Sequence, residues 1–209
     1  MLEILYKKLS QKQVSVLSAR DTLGKLLLPE TFLLFVGTIE PRKNLGLLFE
    51  AFQLLSESLR RQFPLVVAGK PGWHTGPIYA KALPLITEGT ILFTGLVSEE
   101  DLTRLYKAAT VFVYPSLDEG FGLPPLEAMR HGTAVIVSDA PVLVEVSGPG
   151  ALVVSRVDAS ELADALNLLL TDGSRRMELA ARGQSHAAQY SWERTARETI
   201  AVYRRVLGR

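Results

Sequence analysis

Cysteine is absent from this chain of 209 residues. Its absence excludes disulfide bonds, thiolate nucleophiles, cysteine zinc sites and iron–sulfur clusters, and it fits a reducing compartment. Histidine is also scarce, and His74, His131 and His186 lie too far apart in the sequence for a local metal-binding motif. We therefore expect neither a metal ion nor another cofactor.

Neither sign of charge is in excess, since 23 lysines and arginines face 22 aspartates and glutamates for a formal net charge of +1. This balance provides no strong field for gripping nucleic acid, so no nucleic-acid partner is expected. No apolar run reaches the roughly 20 residues that a membrane-spanning helix needs. Met1–Gln13 interrupts its apolar residues with charges, so we do not expect it to act as a signal peptide.

Short apolar runs alternate with longer amphipathic stretches along the chain, in which hydrophobic residues make up 47%. Runs that are almost continuously apolar are typical of strands covered on both faces, as in a parallel sheet. Strand and helix in alternation predict an α/β fold, namely a Rossmann-like, doubly wound parallel sheet of about six strands. The predicted strands are Phe32–Val36, Leu65–Ala68, Thr90–Phe93, Val111–Tyr114, Ala134–Val137 and Ala151–Val154.

Helical patterns fill the intervals and continue after the last predicted strand. Leu162–Leu170, Arg175–Gln189 and Trp192–Leu207 are predicted as three closing helices. An earlier helix is expected to begin after Ser98, because the sequence SEED (98–101) resembles a capping box. We expect residues 20–209 to form one domain that includes the C-terminal helix, preceded by a helical segment or linker remnant at 1–19.

The loop after the first predicted strand brings two adjacent cations to the start of a helix. Gly37 and Thr38 open this loop, and Arg42 and Lys43 close it. Ligands of doubly wound sheets bind at the carboxyl ends of the strands, and helix N-termini attract anions there. The pattern is therefore typical of a phosphate or diphosphate clamp. The alternative is a solvated loop with ordinary surface cations.

The loops after the second and third predicted strands are candidates for ligand contact. Gly69 allows close approach of a ligand to the backbone, and Lys70 follows it. Leu96 and Val97 follow the third strand and present a small apolar surface. That surface is suitable as the floor of a pocket for a base ring, with an ordinary strand-to-helix turn as the alternative.

The loop after Tyr114 is the most informative, because glycines and prolines delay the next helix. Gly120, Gly122 and the two prolines predict that the helix begins at about Pro124, with Glu127 in its first turn. Backbone N–H groups of residues 120–123, including those of Phe121 and Leu123, then form an anion cradle between two carboxylates, Glu119 and Glu127. Such carboxylates suit sugar hydroxyl groups. Alternatively, Glu127 merely stabilises the helix dipole, by roughly 0.3–1 kcal/mol.

Four segments together resemble one family, the group 1 (GT4-type) retaining glycosyltransferases. They are VGTIEPRKN (36–44), VAG (67–69), FTG (93–95) and EGFGLPPLEAM (119–129), and the resemblance extends in order from about Arg20 to Leu207. Within the family, the branch of bacterial mannosyltransferases that build surface polysaccharide is the most similar. The resemblance implies the C-terminal, donor-binding half of a GT-B fold, and hence a nucleotide-sugar-binding domain at 20–209.

The resemblance also implies roles for individual residues. Lys43 would hold the donor diphosphate and Glu119 would contact the transferred sugar, which makes both catalytic, while Glu127 would bind the ribose. An arginine usually stands at the position of Thr38, so a two-cation clamp here requires Arg42 to supply the second charge. The resemblance further implies substrate contacts at Leu96, Val97, Gly120, Phe121, Gly122 and Leu123. The loop analysis adds Gly37, Gly69 and Lys70 to the predicted substrate-binding residues.

The resemblance implies retaining, metal-independent transfer of a hexose from a nucleotide-diphosphate sugar, with GDP-mannose as first choice, to a glycan or lipid-linked acceptor. The family's acceptor-binding half would precede this segment, so a separate acceptor-binding domain or a homodimer is expected as partner. The expected location is cytoplasmic, with peripheral attachment at the inner membrane face as an alternative. A non-catalytic nucleotide-sugar-binding module remains the second interpretation. A dehydrogenase-type domain is disfavoured, because no G-x-G-x-x-G follows the first predicted strand.

Overall fold

The structure, a computed structural model, describes residues 28–208. The predicted segment 1–19 lies outside this range. The strands are β1 (Leu33–Val36), β2 (Leu65–Ala68), β3 (Ile91–Gly95), β4 (Val111–Tyr114), β5 (Ala134–Ser138) and β6 (Ala151–Val154). The helices are α1 (Leu45–Leu54), α2 (Glu57–Gln62), α3 (Thr75–Glu88), α4 (Glu99–Ala108), α5 (Leu123–Arg130), α6 (Pro141–Ser147), α7 (Ala159–Thr171), α8 (Gly173–Ala187) and α9 (Trp192–Val206), with short 3₁₀ turns at Pro41–Lys43 and Gly148–Gly150.

The described strands form one parallel sheet in the order β3-β2-β1-β4-β5-β6. The chain builds outward from β1 to β3, then returns to the centre and builds outward in the other direction from β4. The order therefore reverses between β1 and β4, where Leu33 pairs with Val111. This reversal defines the topological switch point at which doubly wound sheets bind their ligands. The predicted Rossmann-like α/β fold is confirmed.

Burial on both faces explains why the strands are continuously apolar. Every residue of β2, β4 and β5 is buried, and such strands need helices on each side. Among the helices, α1 contacts α3 and α7, and α5 contacts α4, α6 and α8, while α7 and α8 contact each other. Aromatic side chains fill the core beside the switch point, where Tyr114 stacks on Phe35 and on Phe112 with ring centroids 5.9 Å apart in both pairs.

Side-chain caps fix several helix starts that the sequence suggested. The hydroxyl of Ser98 accepts a hydrogen bond from the N–H of Asp101 at 3.1 Å, which confirms the predicted start of α4. Ser191 caps α9 in the same way, accepting from the N–H of Arg194 at 3.1 Å. Both helices therefore begin where the chain itself provides acceptors for N–H groups of the first turn.

The predicted start of α5 at about Pro124 is wrong by one residue, and this difference changes the helical turn in which Glu127 lies. Gly122 adopts a left-handed conformation, with φ of 93°, and α5 begins directly after it at Leu123. The two prolines then occupy the second and third helical positions, where a missing N–H has no cost. Glu127 is consequently in the second turn, and no acidic residue lies in the first turn.

The last helix, α9, has no buried residue. Its apolar side chains are exposed, among them Trp192 at 74%, Tyr203 at 63% and Val206 at 78%. Among the described residues, no helix is long and apolar enough to cross a membrane.

Candidate functional site

Two glycine turns bring the loops after β1 and β2 into direct backbone contact. The N–H of Gly37 donates to the carbonyl of Ala68 at 2.9 Å, and the N–H of Gly69 donates to the carbonyl of Gly95 at 2.9 Å. A Cβ atom at Gly69 would lie 1.9 Å from the carbonyl oxygen of Gly37, so only glycine fits there. These contacts fix the backbone of both loops at the carboxyl edge of the sheet, beside the switch point.

The segment after Gly37 then forms a tight 3₁₀ turn that orients the two predicted cations. Pro41 starts the turn, and Asn44 ends it in a left-handed conformation with φ of 55°. The amide of Asn44 donates to the carbonyl of Pro115 at 3.2 Å and to that of Arg156 at 2.9 Å. Asn44 thereby joins the β1 loop to the loop after β4, across the switch point.

Lys43 points from this turn into the protein and is only 7% exposed. Its ammonium group donates to Oε1 of Glu119 at 2.6 Å and to the hydroxyl of Tyr114 at 2.7 Å. Tyr114 is the last residue of β4 and is itself 1% exposed. A buried ammonium is retained only with such partners, so this contact fixes Lys43 beside the β4 loop.

Arg42 holds the other oxygen of the same carboxylate. Its Nη1 donates to Oε2 of Glu119 at 2.8 Å and to the carbonyl of Asp118 at 2.8 Å. Its Nη2 donates to Oε1 of Glu40 at 2.9 Å. Arg42 and Lys43, here called the cation pair, therefore share Glu119, and with Glu40 the four side chains carry no formal net charge.

The cation pair also determines the ionisation of Glu119. Burial favours the neutral acid, but the hydrogen bond and charge of Lys43, together with the side chains of Ser116 and Arg42, outweigh it, and the pKa of Glu119 lies below its ordinary value of 4.5. A lowered folded-state pKa means that the ion pairs stabilise the fold above the unfolded pKa and that this contribution is lost as pH falls through the folded value. The carboxylate is therefore charged throughout the neutral range.

Glu127 lies within α5, and its side chain has a partner that the sequence did not reveal. The hydroxyl of Tyr106, on α4, donates to Oε2 of Glu127 at 2.8 Å. Tyr106 is 2% exposed, and burial together with the negative charge of Glu127 raises the pKa of its phenol, which stays protonated as a donor. This hydrogen bond fixes the orientation of the Glu127 carboxylate.

Tyr106→Phe is expected to lower the free energy of unfolding by about 1.5 kcal/mol, because it removes a hydrogen bond to a charged acceptor. Chemical unfolding followed by circular dichroism measures the change. Tyr203→Phe is the matched control, since Tyr203 is 63% exposed on α9 and its hydroxyl removal should cost nearly nothing. Equal stabilities for Tyr106→Phe and the unsubstituted chain would show that the hydrogen bond contributes nothing.

The start of α5 also borders an apolar cavity of about 350 Å³ between this helix and α9. Phe121 is 48% exposed and packs edge-on against Tyr190, with ring centroids 6.4 Å apart. The predicted site residues that line the cavity are Phe121, Leu123 and Glu127, together with Trp192 from α9. The cation pair does not line this cavity, although both adjoin the 119–123 loop.

The remaining predicted residues lie along the same edge of the sheet. Thr38 packs its methyl group toward Gly72, where an added Cβ would come within 2.7 Å of it. Lys70 is exposed after β2, Leu96 is 76% exposed after β3, and Val97 packs against the core. Gly120 is exposed with open space around it, whereas Gly122 fits closely against Leu143.

Sequence reasoning missed four side chains that shape these sites: Tyr114, Tyr106, Glu40 and Asn44. A signal existed for Tyr114, because a hydroxyl ends an otherwise apolar run directly before the loop that carries Glu119. None existed for Tyr106, whose partner is 21 residues away on another helix.

The family model for glycosyl transferases group 1 matches residues 24–186 of this chain. The O-antigen chain mannosyltransferase B of Escherichia coli is 41% identical over 173 residues, which cover 83% of this chain and 45% of that protein. The D-inositol 3-phosphate glycosyltransferase of a Nocardioides species is 35% identical over 205 residues, covering 90% and 44%. The chain thus spans about half the length of these curated relatives or less.

Solved structures give the same result at the level of fold. A sucrose-phosphate synthase from Thermosynechococcus elongatus superposes with a TM-score of 0.73 at 30% identity, over 86% of this chain and 46% of that one. The C-terminal domain of a group 1 glycosyl transferase from Francisella tularensis superposes with a TM-score of 0.67 at 23% identity, over 76% and 85%. The sheet order and these neighbours confirm half of a GT-B fold. Since the family model covers more than half of the sequence, the chain belongs to the glycosyl transferases of group 1.

Proposed function

We propose that this chain is the donor-binding domain of a retaining hexosyltransferase that uses a nucleotide-diphosphate sugar, with GDP-mannose as first choice. The observation that carries the proposal is the sharing of Glu119 by Lys43 and Arg42 at the switch point. One carboxylate beside two cations offers acceptors for sugar hydroxyls next to donors for a diphosphate. The name of the mannosyltransferase relative from Escherichia coli supports the choice of sugar.

The other proposed contacts extend from this centre to the neighbouring cavity beside α5 and to the loop after β3. Glu127, oriented by Tyr106, would accept from the ribose hydroxyls, and the loop carrying Leu96 and Val97 would lie against the base. The N–H of Leu123 precedes the first hydrogen bond within α5 and, with the N–H groups of residues 120–122, is proposed to face the ligand, whereas Pro124 and Pro125 carry no N–H. Gly37 and Gly69 would allow the diphosphate to approach the backbone.

Transfer would break the bond between the anomeric carbon and the diphosphate oxygen and form a bond from that carbon to an acceptor hydroxyl oxygen, whose proton would pass to the departing diphosphate. Negative charge then develops on the departing diphosphate, where Lys43 and Arg42 would stabilise it. We propose that these side chains do the neutralising in place of a metal ion. The acceptor, a glycan or a lipid-linked sugar, would be bound by a second domain or subunit, since the chain spans only about half the length of its relatives. The proposed location is the cytoplasm or the inner membrane face.

A titration calorimetry screen with GDP-mannose, UDP-glucose and ADP-glucose tests donor binding directly. We expect GDP-mannose to bind tightest. Failure of all three to bind rejects the proposed function, and tightest binding of another donor rejects the choice of GDP-mannose.

Transfer is tested with labelled donor and an oligomannose acceptor, with and without an added acceptor-binding domain from a mannosyltransferase relative. We expect product with the original anomeric configuration only when that domain is present, and an undiminished rate in EDTA. Glu119→Ala should lower this rate by about 100-fold or more, the scale for removing a group that stabilises the transition state. Binding without transfer in every arm would favour the second candidate, a nucleotide-sugar-binding module, which the half-length match also fits.

A further inference from the structure

The cation pair is already occupied in the structure, and its occupant is Glu119. Both carboxylate oxygens are engaged, one by Lys43 at 2.6 Å and the other by Arg42 at 2.8 Å. The Lys43 and Glu119 side chains are each 8% exposed, whereas the Arg42 side chain is 41% exposed. A diphosphate that approaches from solvent therefore reaches Arg42 first, and it reaches Lys43 only after the carboxylate has moved.

The cations would stay in place when the carboxylate leaves, because each has other partners. Lys43 keeps the hydroxyl of Tyr114 at 2.7 Å. Arg42 keeps Glu40 at 2.9 Å and the carbonyl of Asp118 at 2.8 Å. Binding is thus an exchange of one anion for another on a preorganised pair of cations. The displaced carboxylate of Glu119 then needs new hydrogen-bond donors.

A displaced, largely buried carboxylate without donors is costly, since a charged acceptor loses its hydrogen bonds in a poorly solvated place. A nucleoside diphosphate alone offers the carboxylate nothing in return. A nucleotide-diphosphate sugar offers the hydroxyl groups of its sugar directly beyond the diphosphate. The two ligands therefore differ in the cost of the exchange, although they present the same phosphates.

We propose that Glu119 acts as a stand-in for the diphosphate in the free protein and thereby makes the cation pair selective for a diphosphate that carries a sugar. This inference rests on the proposed function. It also predicts an effect on the end of the cycle: once the sugar has been transferred, the carboxylate competes for Lys43 and Arg42 and helps to expel the nucleoside diphosphate.

The test is the ratio of the dissociation constants of GDP and GDP-mannose, measured by calorimetry on the full chain. Glu119→Gln keeps an acceptor for Lys43 but removes the competing charge. We expect GDP to bind about fivefold to tenfold more tightly than to the unsubstituted chain, the scale for removing one charge near an anion. GDP-mannose should not gain, so the ratio falls by at least that factor.

Glu40→Gln is the matched control, because it removes the other carboxylate beside Arg42 but not the one beside Lys43. It should tighten GDP and GDP-mannose alike and leave the ratio unchanged. Glu198→Gln, on exposed α9, should change neither affinity. Circular dichroism checks folding, and if Glu119→Gln does not fold, Glu119→Asp replaces it, with its shorter reach expected to tighten GDP about threefold.

The outcomes separate this inference from the proposed function. If the unsubstituted chain binds neither ligand, the proposed function fails and this inference with it. If both ligands bind but Glu119→Gln, or Glu119→Asp in its place, binds GDP no more tightly, the stand-in role is wrong and the donor site stands. An equal gain for both ligands would likewise overturn it, because Glu119 would then act only through general charge.

Discussion

Lys43→Ala is expected to weaken GDP binding by about 1.5–3 kcal/mol, or about tenfold to 150-fold, the range for a hydrogen bond to a charged group. The ammonium is the buried member of the cation pair, so solvent and salt screen it little. Calorimetric titration with GDP measures the loss.

Lys81→Ala is the control for this substitution. Lys81 is a helix lysine whose ion pair with Glu50 is half exposed, and it lies outside the proposed donor site. It should leave GDP affinity unchanged. If Lys43→Ala and Lys81→Ala bind GDP equally well, the diphosphate does not lie on Lys43 and the assignment of the cation pair is incorrect.

Gly69→Ala is expected to lower the free energy of unfolding by about 4 kcal/mol, from overpacking and backbone strain together. The new methyl carbon would lie 1.9 Å from the carbonyl oxygen and 2.7 Å from the carbonyl carbon of Gly37. Both are backbone atoms held by the sheet, so the clash is relieved only by separating the loops after β1 and β2. Donor binding should be lost with the same substitution, because these loops form the floor of the site.

Gly76→Ala provides the matched comparison. Gly76 lies within α3, and a Cβ atom there meets nothing within 4 Å. Alanine is the better helix former, but Pro77 follows and disfavours the helical conformation of a residue that has a Cβ, so the two effects oppose each other and stability should change by less than about 1 kcal/mol. Thermal and chemical unfolding of the two variants measure the contrast, and equal stabilities would contradict the close approach of Gly69 to Gly37.

Most of the fold was predictable, because strand and helix leave local signatures. Continuous apolar runs marked all six described strands, since a strand covered on both faces has no polar side to show. Ser98 marked the start of α4 through its own hydroxyl. The start of α5 was misjudged because proline tolerates several positions in a first turn. The left-handed Gly122 decided which of them was used.

The candidate site was predictable only in part. The nearness of Lys43 and Glu119 follows from a general rule, that loops after neighbouring parallel strands meet at one edge of the sheet. The sequence did not predict that Arg42 contacts the same carboxylate, since an exposed cation in a loop has many possible orientations. The grouping of Phe121 and Glu127 with Trp192 was not foreseen, because it depends on where α8 and α9 pass over α5.

By itself, the sequence determined which segments are strands, which loops carry charge and glycine, and which family the chain resembles, because these depend on local patterns and short motifs. Only the tertiary structure decided the partners: Tyr114 for Lys43, Tyr106 for Glu127, and both cations for Glu119. Those contacts join residues 21 to 77 positions apart. Burial selects such pairs, since a charged or hydroxyl group removed from water must find its donors or acceptors among whatever the packed chain brings within reach.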